Sequence, residues 1–281
     1  MVPNFEENRG IVYLCLSALA FSSAGIFTKS VDVGAWDVLF WRGLSGAAFT
    51  LIFLMLRSGV KDELNRFNAP AVLASLMMAS GTAAFIPAFK LTSVANVALI
   101  WATAPFVTAS LAWIVIKEIP SRRVILCSCL ALFGVIITLA GATGKGDWVG
   151  NLLAMWMTLM MSATMVLYRA RPETPTKLPA ASSSLLLLPF ALWLSQPSLV
   201  GPNEIWLLVA FGLVFAIASV LLSEGARLVP SAKAALISAL ETPLAPIWAI
   251  LLLGEWPSIH ALLGGVIIMF AVIAAQNARQ S

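Results

Sequence analysis

The sequence predicts an all-α integral membrane protein of ten transmembrane helices, arranged as two inverted five-helix repeats. Three observations predict it. Apolar residues make up 60% of the chain and charged residues 11%, against roughly one half and one quarter in soluble domains. The apolar residues fall into runs near the ~20 residues needed to cross a ~30 Å hydrocarbon layer, where the backbone must close its hydrogen bonds inside helices. An ungapped shift of 137 residues then lays Leu91 to Ile136 onto Leu228 to Ile273, and a repeated unit inside an apolar chain is the plan of many membrane carriers.

Proline, glycine and charge divide the chain into spans. The first, 11–29, follows Glu6, Glu7 and Arg9; the second, 37–57, runs from Asp37 to Arg57; the third, 70–89, begins at Pro70 and stops before Lys90. The fourth, 93–117, ends at Lys117-Glu118, and the fifth, 121–142, lies between Pro120 and the glycines at 144 and 146. In the second unit, 147–169 ends at Arg169, 179–196 starts at Pro179 and stops before Pro197, and 204–226 lies between Glu204 and Arg227. The last two, 231–254 and 257–276, are separated by Glu255 and Trp256. The units are therefore 1–143 and 144–281, with no room for a soluble domain.

With the N-terminus in the cytoplasm, twelve lysines and arginines fall inside, among them Arg122, Arg123, Arg169 and Arg227, and only Lys29, Lys90 and Lys145 fall outside. This satisfies the positive-inside rule and makes both termini cytoplasmic. Trp36, Trp148, Trp206 and Trp256 fall at the outer ends, where an indole sits body inward and N–H toward headgroups. Five spans per unit is an odd number, so the second unit enters from the opposite side. Glu118-Ile119-Pro120-Ser121 maps onto Glu255-Trp256-Pro257-Ser258, and a shift of 140 pairs Gly10 with Gly150, Ser22 with Ser162 and Lys29 with Arg169.

Several classes are disfavoured. The formal charge of +4 sits at helix ends, unlike the one-sided patch of a nucleic-acid binder. Cys15, Cys127 and Cys129 are odd in number and lie inside spans, which does not make a disulfide framework. With acidic residues before the first apolar run, that run is expected to stay as a helix and not to be a signal peptide. Gly144-Lys145-Gly146 lacks the rest of a phosphate loop, there is no zinc spacing and no nucleophile elbow, so neither enzyme, cofactor nor metal is expected. His260, the single histidine, is read as a solvated turn residue. A channel or receptor remains an alternative, since cavity-lining polar groups serve those too.

Phe40-Trp41-Arg42, Ala104-Pro105 followed by Lys117-Glu118, and Leu240-Glu241-Thr242-Pro243 followed by Leu253-Gly254-Glu255 resemble the drug/metabolite transporter superfamily in its EamA-like branch. The resemblance covers nearly the whole chain in two copies. Within the branch the chain looks most similar to bacterial exporters of aromatic and neutral amino acids. Membership implies a basket of ten helices in which the first, third, fourth, sixth, eighth and ninth line a central cavity. It also implies export of small metabolites across the inner membrane; other metabolites or cationic drugs are the alternative cargo.

Candidate site residues follow from depth and chemistry. Pro105 in the fourth span, and Pro243 and Pro246 in its mate, each free a carbonyl four residues earlier, which needs a partner or a wet cavity; plain packing kinks are the alternative. Helical spacing puts Trp101, Ala104, Pro105 and Thr108 on one stripe, mapped by the repeat onto Ser238, Glu241, Thr242 and Ala245. Trp101 is a stacking platform or core. Glu241 lies about ten residues into its span, where a carboxylate costs at least ~2.5 kcal/mol unless paired, protonated or wetted. It contacts a substrate ammonium, couples protons, or forms an ion pair or helix brace. Ser22, Ser80 and Ser162 lie near mid-span; such hydroxyls usually bond back to their own helix, but together they can orient a ligand. Arg42 is a fixed cation for a carboxylate, with an outer-gate or packing ion pair as its expected role, and Asn96 gates or caps. Lys233 is expected to snorkel and pair with Glu224, Glu118 and Glu255 to be structural, and Tyr13 and Tyr168 to be belt residues. Partners are then lipid, a small-molecule substrate and, as a candidate, protons, and ten spans make a functional monomer plausible.

Overall fold

The fold was obtained as a computed structural model, which describes residues 5–24, 27, 30–56, 59–92, 94–139, 148–195, 200–248, 250–251 and 259–276. Its helices are α1 (Phe5–Ser22), α2 (Ala35–Leu56), α3 (Val60–Asn65), α4 (Ala69–Leu91), α5 (Val94–Trp101), α6 (Ala104–Ile116) and α7 (Arg122–Leu139) in the first half. The second half holds α8 (Trp148–Ala170), α9 (Lys177–Leu194), α10 (Pro202–Leu228), α11 (Ser231–Ser238), α12 (Glu241–Trp248) and α13 (Ile259–Gln276). Apart from the short α3, these make ten segments, with α5–α6 and α11–α12 each forming one broken segment. Residues 35–56, 69–88, 99–116, 148–170, 177–194 and 202–228 are each long and apolar enough to cross a membrane unaided.

Local chemistry sets the helix ends. The Asn68 side chain accepts from the Ala71 amide at 3.4 Å and Pro70 sits in the first turn of α4, a polar cap followed by a residue with no N–H to satisfy. Glu204 reaches back to the Gly201 amide at 3.3 Å to open α10. α6 ends with Lys117 at φ 56°, left-handed geometry that lets the Glu118 amide bond the Ala112 carbonyl at 3.2 Å and close a terminal turn.

Packing reveals the symmetry. α1 packs on α10 and α4 on α8; α2 packs on α9 and α7 on α13; α10 packs on α2 and α9 on α4; α6 packs on α8 and α12 on α1. Exchanging each segment with its repeat mate maps every one of these pairings onto itself or onto another. That is the signature of a two-fold axis, and with five segments per unit it inverts one unit relative to the other. Small residues allow the close crossings. A Cβ on Gly212 of α10 would lie 2.8 Å from both the Arg42 carbonyl and the Gly46 amide of α2, and one on Gly134 of α7 would lie 2.9 Å from the Gly264 carbonyl of α13.

Candidate functional site at the two helix breaks

The fourth and ninth segments break at matching residues. α5 ends at Trp101 and α6 begins at Ala104; α11 ends at Ser238 and α12 begins at Glu241. The 137-residue shift carries each of these four onto its counterpart. The local cause is shared: Pro105 has no N–H for the Trp101 carbonyl and Pro243 none for that of Ala239, so the backbone tightens into three-residue turns. Thr103 N bonds Ile100 O at 3.0 Å, with the Thr103 hydroxyl adding 2.6 Å to the same oxygen, while Leu240 N bonds Ile237 O at 3.0 Å. The breaks meet, since the mates Ala102 and Ala239 are buried in one apolar cluster with Val135 and Ile268.

Shared backbone carries different side chains. Trp101 packs against a cluster holding Met165, Tyr168 and Ala104 and against another holding Val97, Ala154 and Met157, so the indole bridges the broken segment to α8. Its mate Ser238 is buried and donates to the Ala234 carbonyl at 3.2 Å. Ala104 is buried, whereas its mate Glu241 is the first residue of α12, enclosed by protein yet still touching open space. Among the described residues Glu241 has neither ion pair nor hydrogen-bond partner. The positive end of the half-helix favours its charge, and no cation among the described residues neutralises it. A carboxylate so placed can take an ammonium or a proton.

The serines divide. Ser22 Oγ accepts from Trp248 Nε1 at 2.9 Å and donates to the Leu19 carbonyl at 2.7 Å, tying α1 to α12. Its mate Ser162 is wholly buried with a hydroxyl that has no partner among the described residues; the residue matching Trp248 is Leu111, which has no N–H to offer. Ser80 Oγ accepts from the half-exposed Trp156 at 2.7 Å, which spends it on the α4–α8 crossing. Pro105 and Pro243 flank the breaks; the side chains of Asn96 and Pro246 lie outside the described residues, as do Lys29 and Glu255.

Three expectations from sequence need correction. Arg42 forms no ion pair among the described residues. It is 2% exposed, its guanidinium lies 4.2 Å from the Phe215 ring centroid and 5.2 Å from that of Phe211, and its Nε has no partner. Cation–π contact on two α10 rings replaces the expected carboxylate. Lys233 does not pair with Glu224. It is 5% exposed and donates to Glu7 of α1 at 2.9 Å, while Glu224 pairs with Arg227 and accepts from Thr176 at 2.6 Å. Tyr168 is no belt residue. It is wholly buried where α4, α6, α8, α10 and α11 converge, in one cluster with Ala74, Ala104, Ala226 and Ala235.

Glu118, expected from sequence to be structural with a local cation or a capping job, has both kinds of contact. It accepts from Arg169 Nε at 3.1 Å and from the Ser231 amide at 2.8 Å. Among the described residues, cavities at the ends of the bundle include one of ≈ 510 Å³ beside Asp32, Asp37 and Trp193 and one of ≈ 220 Å³ beside Glu63, Lys177 and Arg227. Neither is lined by Trp101 or Glu241.

Comparison with known proteins decides the family. The EamA-like transporter family model matches residues 8–140 and again 148–275. The chain belongs to the EamA-like transporter family. A relative from Bacillus subtilis (strain 168), named "Uncharacterized transporter YyaM", is 24% identical over 279 residues, covering 92% of this chain and 88% of that one. A solved crystal structure aligns with a TM-score of 0.83 at 17% identity, over 96% of this chain and 97% of the other, a likeness of fold alone. This EamA-like transporter is thus a multi-pass membrane protein with the drug/metabolite transporter fold, its two family matches falling on the two halves that the packing relates.

Proposed function

We propose that this EamA-like transporter is a secondary active or facilitative carrier that exports amino acids, aromatic and neutral ones first, and related small metabolites by alternating access. The observation that carries this reading is Glu241, without a partner among the described residues, at the start of a half-helix beside a break that meets its repeat mate across the two-fold axis. Half-helix ends at the midplane are where carriers of inverted-repeat design hold their cargo. Glu241 receives the substrate ammonium or the coupling proton, Trp101 offers the stacking face, and Ser22, Ser162 and Ser238 supply hydroxyls; Ser80 is the most peripheral of the set. Arg42 and Asn96 act away from the breaks as gating elements. The repeat boundary falls at 143/144, both termini face the cytoplasm, and the membrane is the bacterial inner membrane. A monomer suffices, no cofactor takes part, and the protein performs no enzymatic chemistry.

A second reading, export of cationic metabolites or drugs, is favoured by one feature: the breaks offer a carboxylate and no fixed cation among the described residues. Flux in liposomes separates the two. Labelled neutral and aromatic amino acids should move with saturation, and faster under an imposed pH gradient if protons are coupled. A flat signal for every amino acid with saturable uptake of organic cations selects the second reading. Current that rises with voltage and never saturates would mean a channel.

A further inference from the structure

We propose that the basic end of the bundle, the end carrying Arg169, Lys177 and Arg227, is a two-layer gate: a latch made by Glu118 and a plug made by Tyr168. This rests on the alternating-access reading above and gives that site its barrier.

The latch joins the helices that would have to part. The Glu118 carboxylate follows α6, pairs through one oxygen with Arg169 at the end of α8, and accepts through the other from the Ser231 amide that starts α11. α6 and α11 are the halves of the broken segments that reach this end, so one carboxylate holds together two units across the two-fold axis. The left-handed turn at Lys117 aims it there. The Glu118–Arg169 pair keeps 22% and 30% of its side-chain surface in water, so water can take up both charges as the pair parts, which lowers the cost of opening below that of a fully buried pair. By contrast, the α2–α10 and α7–α13 crossings are backbone contacts through glycine that cannot open without unpacking.

The plug lies one residue before Arg169, the partner of the latch. Tyr168 fills the space between the latch and the breaks, with Ala104 and Ala235 of the broken segments, Ala74 and Ala226 as its buried neighbours. The four alanines are too small to close the space themselves, which leaves it to the Tyr168 ring with Met165 of the same helix, and Trp101 and Leu222 packed at its edge. The Tyr168 hydroxyl makes no well-aligned hydrogen bond among the described residues; the Ser223 hydroxyl, which donates to the Ser219 carbonyl at 2.9 Å, lies near enough to interact with it. Packing is thus the main hold on the ring, with only the contact to Ser223 opposing its withdrawal once the latch opens. The outer ring of ion pairs, Lys177 with Glu63 at 3.3 Å and with Glu224 at 3.7 Å, ties α3, α9 and α10 and does not reach α6 or α11.

The test needs no substrate. In a background with Cys15, Cys127 and Cys129 changed to Ser, Ala226→Cys places a thiol in the plug cluster. Its labelling by a charged, membrane-impermeant thiosulfonate is followed from each side of sided vesicles. The parent should label slowly from the basic end. Glu118→Gln should raise that rate about tenfold, through lost charge assistance on two hydrogen bonds, and Tyr168→Ala should raise it at least as much. Arg169→Gln, which spares the bond to Ser231, should give a smaller rise. Rates unchanged from the basic end in variants whose thermal midpoints show them folded, or a rise only from the opposite end, overturn the gate. Absence of amino-acid flux would sink the proposed cargo without touching this readout, so the two failures are distinguishable.

Discussion

Deleting Glu7 should damage this protein far more than deleting the lysine it holds. Lys233 lies in α11, all eight residues of which are buried, and its ammonium rests on Glu7 at 2.9 Å with side-chain exposures of 6% for the lysine and 20% for the glutamate. Removing one member of a buried pair typically costs about 3–5 kcal/mol, because the other charge is stranded. The partial exposure of Glu7 lets water relieve some of this, so Glu7→Ala is expected to cost about 2–3 kcal/mol, or ~5–10 °C of thermal midpoint at about 2–4 °C per kcal/mol for a chain of this size. Lys233→Met keeps the length, removes the charge and leaves Glu7 in contact with water; its expected cost is under about 1 kcal/mol. The double variant should recover most of the loss, a coupling of about 2 kcal/mol. Thermal unfolding of the four purified proteins in one detergent measures the cycle. Equal and additive losses for the two single variants would refute the argument, since the pair would then be a bystander to the packing.

Glu241→Gln should abolish the response of flux to a pH gradient while downhill exchange persists; an unchanged pH response would place Glu241 among the braces of α12. Gly212→Ala puts a methyl 2.8 Å from two backbone atoms of α2 and should cost about 1–3 kcal/mol, read as a lowered thermal midpoint, whereas at Gly201 the nearest atom is the Glu204 carboxylate at 3.6 Å and alanine should be nearly silent. Lys117→Gly relieves a left-handed residue and should stabilise by about 1 kcal/mol, a raised midpoint in the same assay. Trp248→Phe removes the bond to Ser22 and should cost about 0.6–1 kcal/mol, with Ser22→Ala adding little in the double variant.

The ten segments were legible because the features that end a membrane helix are local. Proline, glycine and charge sit in the chain where the helix stops, and each predicted span matches a segment to within a few residues wherever its end is described, apart from the start of α1 and the break. α1 begins at Phe5, earlier than its apolar run, since Glu6, Glu7 and Arg9 form a polar first turn that hydropathy cannot see. α3, six residues in a charged connection, was invisible for the same reason. Pro105 and Pro243 announced a bend; its form, two residues long and facing its mate, depends on tertiary contact. Partners were the illegible part. Glu7 and Lys233 are 226 residues apart, and no rule of spacing joins them. Arg42 chose two rings over a carboxylate because α10 brought Phe211 and Phe215 to it. Tyr168 was misjudged through its neighbour: Arg169 marks an interface, and the depth of the ring beside it comes from the direction of its side chain into the bundle.

The matched breaks bear on energetics as well as on geometry. If the two halves were identical, the form open at one end and the form open at the other would be rotated copies of equal free energy, and the resting population would be one to one. Any bias must therefore come from positions where the halves differ: Trp101 against Ser238, Ala104 against Glu241, and the Ser22–Trp248 bond against the Ser162 hydroxyl. A preferred direction of rest is thus written in the mismatched side chains, those at the breaks among them, and restoring symmetry at one of them is a dial on that preference.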